Sequence, residues 1–395
     1  MELWKEKVCS YLDEIKESLF GISRDIFNHP EISFEEYYAS KLLAKELEQA
    51  GFEVDLGVAN LETAIRAVHP AKAAGPTVAI LGEYDALPEV GHGCGHNLIA
   101  TASLGATLAL GTIKKELPGK LVFLGTPAEE GGGGKIIMIE AGLFDDLDVA
   151  MMFHPSATYT MVGRGGLAMS EITMEFFGQT AHASADPENG INALDAVIQT
   201  FNSISALRQH IKSSARIHGI ITHGGEKPNI VPDYAAASFY VRALDNEYRD
   251  ELIQKVENCA KGATIATGAV LNFEIVGPSY AARNVNRTLG EAFVENLKTL
   301  NVPLKPMPEG SGLGSSDIGN VSQVVPAIHP YLSISEESIP GHSKEFAKAA
   351  ISERGHQAML NAAKALAMTA IDIFTKPELL EKIQVEFQER VQKKN

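Results

Sequence analysis

Cysteine and basic residues are both scarce in this sequence. Three cysteines, Cys9, Cys94 and Cys259, occur in 395 residues. They are too few and too scattered for a disulfide framework, so we expect free thiols and a reducing compartment. The 34 lysines and arginines are outnumbered by 50 acidic residues, which gives a formal net charge of −16. This charge excludes nucleic acid and membrane surfaces as expected partners, because both are anionic.

Long hydrophobic runs are also missing from the pattern. The first twenty residues are charged and amphipathic, without the apolar core of a signal peptide, and no later run is predicted to span a bilayer. We therefore expect a cytoplasmic protein. Because single hydrophobic cores usually stop growing at about 250 to 300 residues, we expect two domains.

The first part of the chain alternates helical and strand patterns. Apolar residues at helical spacing predict a helix over 3–28 and a second helix between Ser33, its expected N-cap, and Gly51. Three short apolar runs then follow, at 77–82, 120–127 and 148–155. Helical segments separate these runs, and this alternation is typical of an α/β fold with a mostly parallel sheet.

The pattern of apolar residues changes at about Leu167, and longer helical segments return after Asn284. Between these points the pattern predicts the order βαββαβ, which is a small α+β unit. We predict an α/β domain with a central mixed, mostly parallel sheet, formed by residues 1–166 and 284–395. Residues 167–283 are predicted to form an inserted α+β domain.

Polar residues follow each of the three apolar runs. Cys94 and His96 lie beyond the first run, Glu129 and Glu130 follow the second, and His154 follows the third. In open α/β sheets the ligands bind at the carboxyl ends of the strands, so these side chains are expected to converge. Cysteine, histidine and carboxylate are ligands that Zn²⁺ accepts. One of two adjacent glutamates can bind the metal while the other accepts a proton from water.

The stretch "EVGHGCGHN" places glycines around Cys94 and His96. Because glycine permits positive φ, this turn can fold tightly enough to aim both side chains inward. His92 points away from them in an extended segment, so ligation and a supporting role both stay open. A thiol nucleophile at Cys94 with a histidine base is an alternative, but it leaves the carboxylates unexplained.

Two further alternatives follow from the pattern. A metal-containing binding protein without catalysis is disfavoured, because a purely structural site needs no free base such as Glu129. The glycine-rich segment 309–317 lacks a preceding strand and the G-x-G-x-x-G spacing, so we predict a loop there rather than a nucleotide site.

Several motifs together resemble the metal-dependent amidohydrolase family of aminoacylases, glutamate carboxypeptidases and p-aminobenzoyl-glutamate hydrolase. They run in the family's order from about residue 20 to residue 370, and are GEYDALPEVGHGCGHN, GTPAEEGGGG, MMFHP, GQTAHAS, NIVPDYA and PGHSKEF. The nearest branch is that of aminobenzoyl-glutamate hydrolase and cytosolic dipeptidase. The resemblance implies a di-metal aminopeptidase-like catalytic domain, with the inserted domain as a lid that also forms a homodimer or higher oligomer.

The resemblance also implies site residues. The ligands of one or two Mn²⁺ or Zn²⁺ ions would be Cys94, His96, Glu130, His154 and His342. Glu129 would be the general base for the hydrolysis of a dipeptide or of an N-acyl or aminobenzoyl amino acid by metal-activated water. His182 and Asn229 would close over the substrate, and in related dimeric enzymes this histidine comes from the neighbouring subunit. A helix cap near Asn189 is the structural alternative for His182.

Other residues receive supporting roles. Classical members have His-x-Asp where this sequence has Glu83 and Asp85. Glu83 therefore occupies the ligand position, Asp85 matches the aspartate that orients the site, and the number of metal ions stays open. His218 and Arg242 are candidates for binding a substrate carboxylate. Shielding of a sheet edge is the alternative role for Arg242.

Overall fold

The computed structural model of the protein describes residues 1–71, 73–307 and 312–392. The chain divides into two compact units, of which the first comprises Met1–Gly165 and Arg283–Asn395 and the second Gly166–Ala282. Each unit has its own core of buried apolar side chains. The two-core organisation agrees with what a chain of this length requires.

Helices occur in both units, and several begin with a polar residue that accepts hydrogen bonds from the first turn. In the described part of the chain they are α1 (Glu2–Asn28), α2 (Tyr37–Gln49), α3 (His96–Ile113), α4 (Gly134–Glu140), α5 (Ala193–Leu207), α6 (Asn246–Thr267), α7 (Arg287–Thr299), α8 (Ile318–Val324), α9 (Lys344–Ala350), α10 (Glu353–Thr375) and α11 (Pro377–Gln392). Side chains of Asn192, Asp245, Asn286, Ser343 and Ser352 cap α5, α6, α7, α9 and α10. Such caps satisfy backbone N–H groups that the helix itself leaves unpaired.

The strands are short in the first unit and long in the second. They are β1 (Glu53–Leu56), β2 (Ile65–Val68), β3 (Thr77–Gly82), β4 (Lys120–Gly125), β5 (Val149–Met151), β6 (His154–Ser156), β7 (Ala168–Phe177), β8 (Arg216–His223), β9 (Tyr234–Ala243), β10 (Val270–Tyr280), β11 (Ala327–Ile328) and β12 (Tyr331–Ser333).

A mixed six-stranded sheet forms the centre of the first unit, in the order β1-β2-β4-β3-β5-β11. β3 pairs in parallel with β4 and β5, and β11 pairs in parallel with β5. β1 and β2 form an antiparallel edge. All of β3 is buried, as expected for an inner parallel strand. Because four strands are parallel, their carboxyl ends lie at one edge of the sheet.

The second unit is an antiparallel four-stranded sheet with two helices. Its strand order is β10-β7-β9-β8. Burial alternates along β7, so one face of the sheet packs in the core with α5 and α6 and the other is more exposed. The predicted βαββαβ order and the predicted mixed, mostly parallel sheet of the first unit are both confirmed.

Helix α10 differs from the sequence prediction that no run is long enough to span a bilayer. Its 23 residues reach that length and apolarity, but 83% of its most apolar window is buried inside the protein. A helix that is apolar on all sides and packed within a core needs no membrane to explain its composition.

Two local predictions are wrong. Ser33 does not cap α2, which begins at Tyr37, because the Ser33 hydroxyl donates to Asp85 Oδ2 at 3.3 Å instead. The run 148–155 forms two strands rather than one, since β5 joins the six-stranded sheet while β6 pairs with β12. Of the predicted loop at 309–317, residues 309–311 lie outside the described residues, and residues 312–316 form no helix or strand.

Candidate metal centre

The carboxyl ends of three parallel strands supply most of the centre. Glu83 and Asp85 follow β3, Glu129 and Glu130 follow β4, and His154 begins β6 shortly after β5. These side chains are buried or half-buried. The sheet therefore gathers acidic and imidazole groups at the edge where α/β folds bind ligands.

The turn before α3 explains why glycine surrounds Cys94 and His96. Gly95 has φ 78° and precedes the first residue of α3, and a Cβ added to it would lie 2.6 Å from Pro155 Cγ. A Cβ added to Gly93 would lie 3.3 Å from the backbone of the loop that carries His342. The two glycines allow three segments of the centre to approach closely.

His342 approaches from the C-terminal part of the chain. Its backbone N–H donates to Gly93 O at 3.0 Å, and its φ is 57°, in the left-handed region that few non-glycine residues adopt. The next residue, Ser343, caps α9 by accepting from the N–H of Phe346 at 3.1 Å. The cap and the hydrogen bond to Gly93 together position this exposed imidazole.

The predicted ligand atoms lie close together in overlapping groups. Cys94, His96 and His154 each offer one atom within 4.8 Å of the others, and so do Cys94, Glu130 and His342. Cys94 Sγ lies 3.4 Å from His154 Nε2, and Glu130 Oε2 lies 3.6 Å from His342 Nε2. Ligands held at about 2.0–2.3 Å around one ion are separated by similar distances. The structure thus brings all five predicted ligands together.

Unpartnered buried atoms show that these residues fit a metal ion. His96 Nε2 and Glu130 Oε1 are buried and have no hydrogen-bond partner among the described residues, although they lie 3.8 Å apart. Leaving buried polar atoms unsatisfied is costly, and a cation between them would remove the cost. The donor set of sulfur, imidazole and carboxylate is one that Zn²⁺ accepts.

Asp85 orients two of the predicted ligands. His96 Nδ1 donates to Asp85 Oδ1 at 2.9 Å, which leaves the Nε2 lone pair directed into the centre. The backbone N–H of Glu130 donates to Asp85 Oδ2, also at 2.9 Å. Burial raises the pKa of Asp85, but the interaction with His96 and the hydrogen bond from the Glu130 backbone N–H outweigh this effect and lower the pKa. Carboxylate–histidine pairs of this kind fix the ring orientation of metal ligands.

Glu129 is buried beside the ligands in an acidic environment. Its Oε2 lies 3.9 Å from His96 Nε2. Burial raises the pKa of Glu129 above its usual range, and the neighbouring charges of Glu83 and Glu130 raise it further. A carboxylate with a raised pKa is a better proton acceptor than an exposed one.

The environment of Cys94 disfavours the thiol-nucleophile alternative. Burial, with a contribution from Glu130, raises the pKa of the Cys94 thiol well above its usual value. Burial also lowers the pKa of His154 to about 4, so this histidine is a neutral neighbour rather than a cation. A reactive cysteine needs the opposite shift, toward the thiolate. The thiolate becomes favourable here with a metal ion.

His92 forms a hydrogen bond with the end of α1. It is buried, and its Nε2–H donates to Ile26 O at 3.1 Å. Burial lowers its pKa to about 4, so the ring is neutral. No metal-ligand group among the described residues includes His92.

A buried ion network behind the centre was not predicted from the sequence. Lys135 Nζ lies 2.6 Å from Glu83 Oε1 and 2.7 Å from Asp317 Oδ1, and all three side chains are fully buried. The backbone N–H of Lys135 also donates to Asp317 Oδ2 at 3.0 Å. The lysine compensates two buried carboxylates, which could not stay ionised there alone. Glu83 is therefore an ion-pair partner of Lys135.

His182 and Asn229 belong to the second unit, where both are exposed or half-exposed. His182 Nδ1 accepts from the backbone N–H groups of Ser184 and Ala185, at 3.3 and 3.2 Å. The backbone carbonyl of Asn229 accepts from the N–H of Ala183 at 3.1 Å. The helix-cap alternative for His182 is wrong, because its ring closes a local turn and Asn192 caps the next α-helix.

His218 and Arg242 also belong to the second unit. His218 is exposed on the edge strand β8, and Arg242 is half-buried on β9 with its guanidinium carbon 5.5 Å from the centre of the Tyr240 ring. β9 pairs on both sides, with β7 and β8, so the edge-shielding alternative for Arg242 is wrong. Burial lowers the pKa of Arg242.

A cavity of about 390 Å³ in the first unit opens onto the centre. Its lining includes Cys94, Glu129, Glu130, His154 and His342, together with three residues that the sequence did not single out, Arg164, Arg283 and His329. For His329 a signal exists, since the run before it ends in His-Pro like the run before His154. His329 directly follows β11, which pairs in parallel with β5, so it lies at the same edge of the sheet, although the register pairs His154 with Tyr331.

Comparison with known proteins finds relatives that are similar over nearly the whole chain. Residues 162–267 match the model of a peptidase dimerisation domain. The chain is 42% identical to the Xaa-Arg dipeptidase of Mus musculus, over 99% of this chain and 94% of that protein. It is 30% identical to a p-aminobenzoyl-glutamate hydrolase chain of Escherichia coli, over 93% of this chain and 91% of that one.

Solved structures share the fold at lower identity. The aminobenzoyl-glutamate utilization protein of Klebsiella pneumoniae superposes with a TM-score of 0.75 at 20% identity, over 94% of this chain and 99% of that one. A dinuclear metal-binding peptidase of the M20 family from Bacillus subtilis superposes with a TM-score of 0.67 at 22% identity, over 91% and 99%. With near-complete coverage of its curated relatives, the chain belongs to the M20 peptidase family and is an amidohydrolase.

Proposed function

We propose that the protein is a metal-dependent hydrolase of small dipeptides or of N-acyl or aminobenzoyl amino acids. The observation that carries the proposal is the convergence of five ligand side chains beside Glu129, at the carboxyl ends of parallel strands. The relatives are named for dipeptides ending in arginine and for p-aminobenzoyl-glutamate. A dipeptide ending in arginine and p-aminobenzoyl-glutamate are therefore the first substrates to test.

The metal would be held by Cys94, His96, Glu130, His154 and His342, as one or two Mn²⁺ or Zn²⁺ ions. Cys94 belongs to two ligand groups, one with His96 and His154 and one with Glu130 and His342. The shared cysteine supports a site in which these two groups lie next to each other. When bound, a divalent ion lowers the pKa of a water ligand and polarises an amide carbonyl. Asp85 holds His96 with its Nε2 lone pair available throughout.

Glu129 would transfer the proton. Glu129 is 8% exposed, and burial raises its pKa. Neither of the two ligand groups that contain Cys94 includes it. In this mechanism its carboxylate accepts a proton from the attacking water and returns it to the leaving amine. Its buried position limits exchange of that proton with bulk water.

The second unit would contribute substrate contacts and the dimer interface. We infer that His182 stabilises the developing oxyanion and that Asn229, His218 and Arg242 contact the substrate. The match of residues 162–267 to a dimerisation domain supports a homodimer formed through this unit. Three free cysteines are consistent with the cytoplasmic location expected from the sequence.

Removal and restoration of metal test the proposal. Protein stripped of metal by a chelator should lose hydrolysis of alanyl-arginine and of p-aminobenzoyl-glutamate, and separate reloading with Mn²⁺, Zn²⁺ or Co²⁺ should restore it. Metal content measured by mass spectrometry gives the number of ions per chain. Hydrolysis that persists after verified metal removal, or that a thiol alkylator abolishes with metal still bound, would instead support the cysteine-nucleophile alternative.

A further inference from the structure

The turn that carries the two adjacent glutamates has an uncommon backbone conformation. Ala128, directly before Glu129, has a φ of 57°, in the left-handed region that alanine disfavours. Its carbonyl accepts a hydrogen bond from the N–H of Gly133 at 2.9 Å, which closes the turn after the two glutamates. Because Ala128 precedes Glu129, its dihedral angles set where the Glu129 side chain points. A contact from outside the turn is needed to hold this strained residue.

Glu36, the residue before α2, supplies that contact. Its side chain is fully buried, and its Oε1 accepts the N–H of Ala128 at 2.9 Å. The same oxygen accepts the N–H of Phe34 at 3.0 Å, and Oε2 accepts the hydroxyl of Thr63 at 2.7 Å. Burial raises the pKa of Glu36 to about 7, although the hydrogen bond from Thr63 lowers it. The protein thus keeps a costly buried carboxylate beside the residue that aims Glu129.

The turn is held on both sides of Glu129. The N–H of Glu130 donates to Asp85 Oδ2 at 2.9 Å, so the residues before and after Glu129 each donate to a buried carboxylate. Phe34 packs against the following glycines, since a Cβ added to Gly132 would lie 2.3 Å from Phe34 Cε2. Asp85 therefore fixes the predicted ligand Glu130, whereas the segment before α2 fixes the backbone that leads into the predicted base.

We propose that Glu36 is a positioning residue that holds Ala128 in the left-handed conformation and thereby directs the Glu129 carboxylate at the metal centre. The inference deepens the amide hydrolysis proposed above and rests on it. Among the described residues, Glu36 is not part of the cavity lining or of any ligand group, so it acts through the backbone of Ala128. Small displacements of a group that reacts cost large factors in rate.

A double-mutant cycle on metal-loaded protein tests the inference. Glu36→Met removes the acceptor of the Ala128 N–H, so kcat for alanyl-arginine and for p-aminobenzoyl-glutamate should fall by about 10- to 100-fold, with KM and metal content nearly unchanged. In Glu129→Gln protein the same substitution should lower kcat by less than roughly 3-fold, because the group that Glu36 positions is already absent. Glu36→Gln should retain most of the kcat, since its amide oxygen can still accept from both N–H groups.

Glu386 on α11 provides a matched control in the same unit. It accepts hydrogen bonds of the same kinds, from the N–H groups of Arg287 and Thr288 at 2.9 and 2.8 Å and from the Thr288 hydroxyl at 2.8 Å. Glu386→Met should therefore lose a similar set of bonds and leave kcat unchanged. If Glu36→Met does not fold, Glu36→Asp takes its place in the cycle, because it withdraws the carboxylate by one methylene group.

Hydrogen exchange gives a readout that needs no activity. Without the bond to Glu36 the turn should open more often, so peptides that span residues 126–134 should exchange about 10-fold faster in Glu36→Met than in the wild type. The same peptides should exchange at the wild-type rate in Glu386→Met. Mass spectrometry of the digested proteins measures both rates.

The inference and the proposed function fail in different ways. An equal factor of kcat loss with and without the Glu129 carboxylate, or unchanged exchange at residues 126–134, would mean that Glu36 only stabilises the fold. A wild-type protein that hydrolyses neither compound, but whose turn exchanges faster in Glu36→Met, would reject the proposed function and keep the hold of Glu36 on the turn.

Discussion

At the scale of single residues, Glu129 and Glu130 are adjacent in sequence but differ in their surroundings. Glu130 lies among the ligand atoms of Cys94 and His342, whereas Glu129 lies near His96 and the buried carboxylates of Glu83 and Asp317. We expect Glu129→Gln to keep its metal and to lose about 10² to 10⁴ in kcat, because it removes the proton acceptor alone. Glu130→Gln should lose metal, as measured by mass spectrometry. Equal metal loss in both variants would reverse the two assignments.

Gly95 tests how tightly the centre is packed. Gly95→Ala would place a Cβ 2.6 Å from Pro155 Cγ at a φ of 78°. We expect a loss of about 1–3 kcal/mol in the free energy of unfolding, since strain and overpacking add, together with weaker metal binding. Urea denaturation and metal titration measure the two effects.

A second glycine of the same unit serves as the control for Gly95. A Cβ on Gly21, inside α1, would meet nothing within 4 Å. Gly21→Ala should therefore stabilise the protein by about 0.5–1 kcal/mol, as alanine does in a helix interior. Stability unchanged by Gly95→Ala would mean that the turn can move away from Pro155.

At the scale of elements, the buried lysine network joins β3 to α4 and α8. Lys135 lies in the first turn of α4, Asp317 precedes α8, and Glu83 follows β3. Lys135→Met removes the ammonium group that both carboxylates share. We expect a loss of about 3–5 kcal/mol in the free energy of unfolding, because uncompensated buried charges remain.

The comparison for this network is a lysine on the surface. Lys255 forms an exposed pair with Glu251 on α6, and Lys255→Met should leave the urea midpoint unchanged within error. A Lys135→Met protein as stable as the wild type would mean that the two carboxylates are protonated or reached by water.

At the scale of the whole molecule, the sequence predicted residues whose positions follow from strand order. Cys94, Glu129 and His154 are ordered by parallel strands, whose carboxyl ends must meet at one edge. Lys135 could not be found this way, because its ion pairs with Glu83 and Asp317 depend on distant parts of the chain rather than on a local pattern. His342 was identified only by family resemblance, since no strand leads directly into its loop.

The last prediction concerns His182 and the assembly of the protein. His182 lies in the unit that matches a peptidase dimerisation domain, while the predicted metal ligands all lie in the first unit. If His182 stabilises the oxyanion, His182→Ala should lower kcat by about 10² to 10³ without changing metal content.

Mixing His182→Ala with Glu129→Gln protein under subunit exchange then separates two arrangements. Each homodimer lacks one function in both sites, so activity that reappears in the mixture would require the histidine of one chain to act with Glu129 of its partner. Absence of recovery, with exchange proven by mass spectrometry of differently tagged chains, would mean that each chain supplies its own histidine. An unchanged kcat in His182→Ala alone would remove this residue from the mechanism and leave it with the turn that it closes through Ser184 and Ala185.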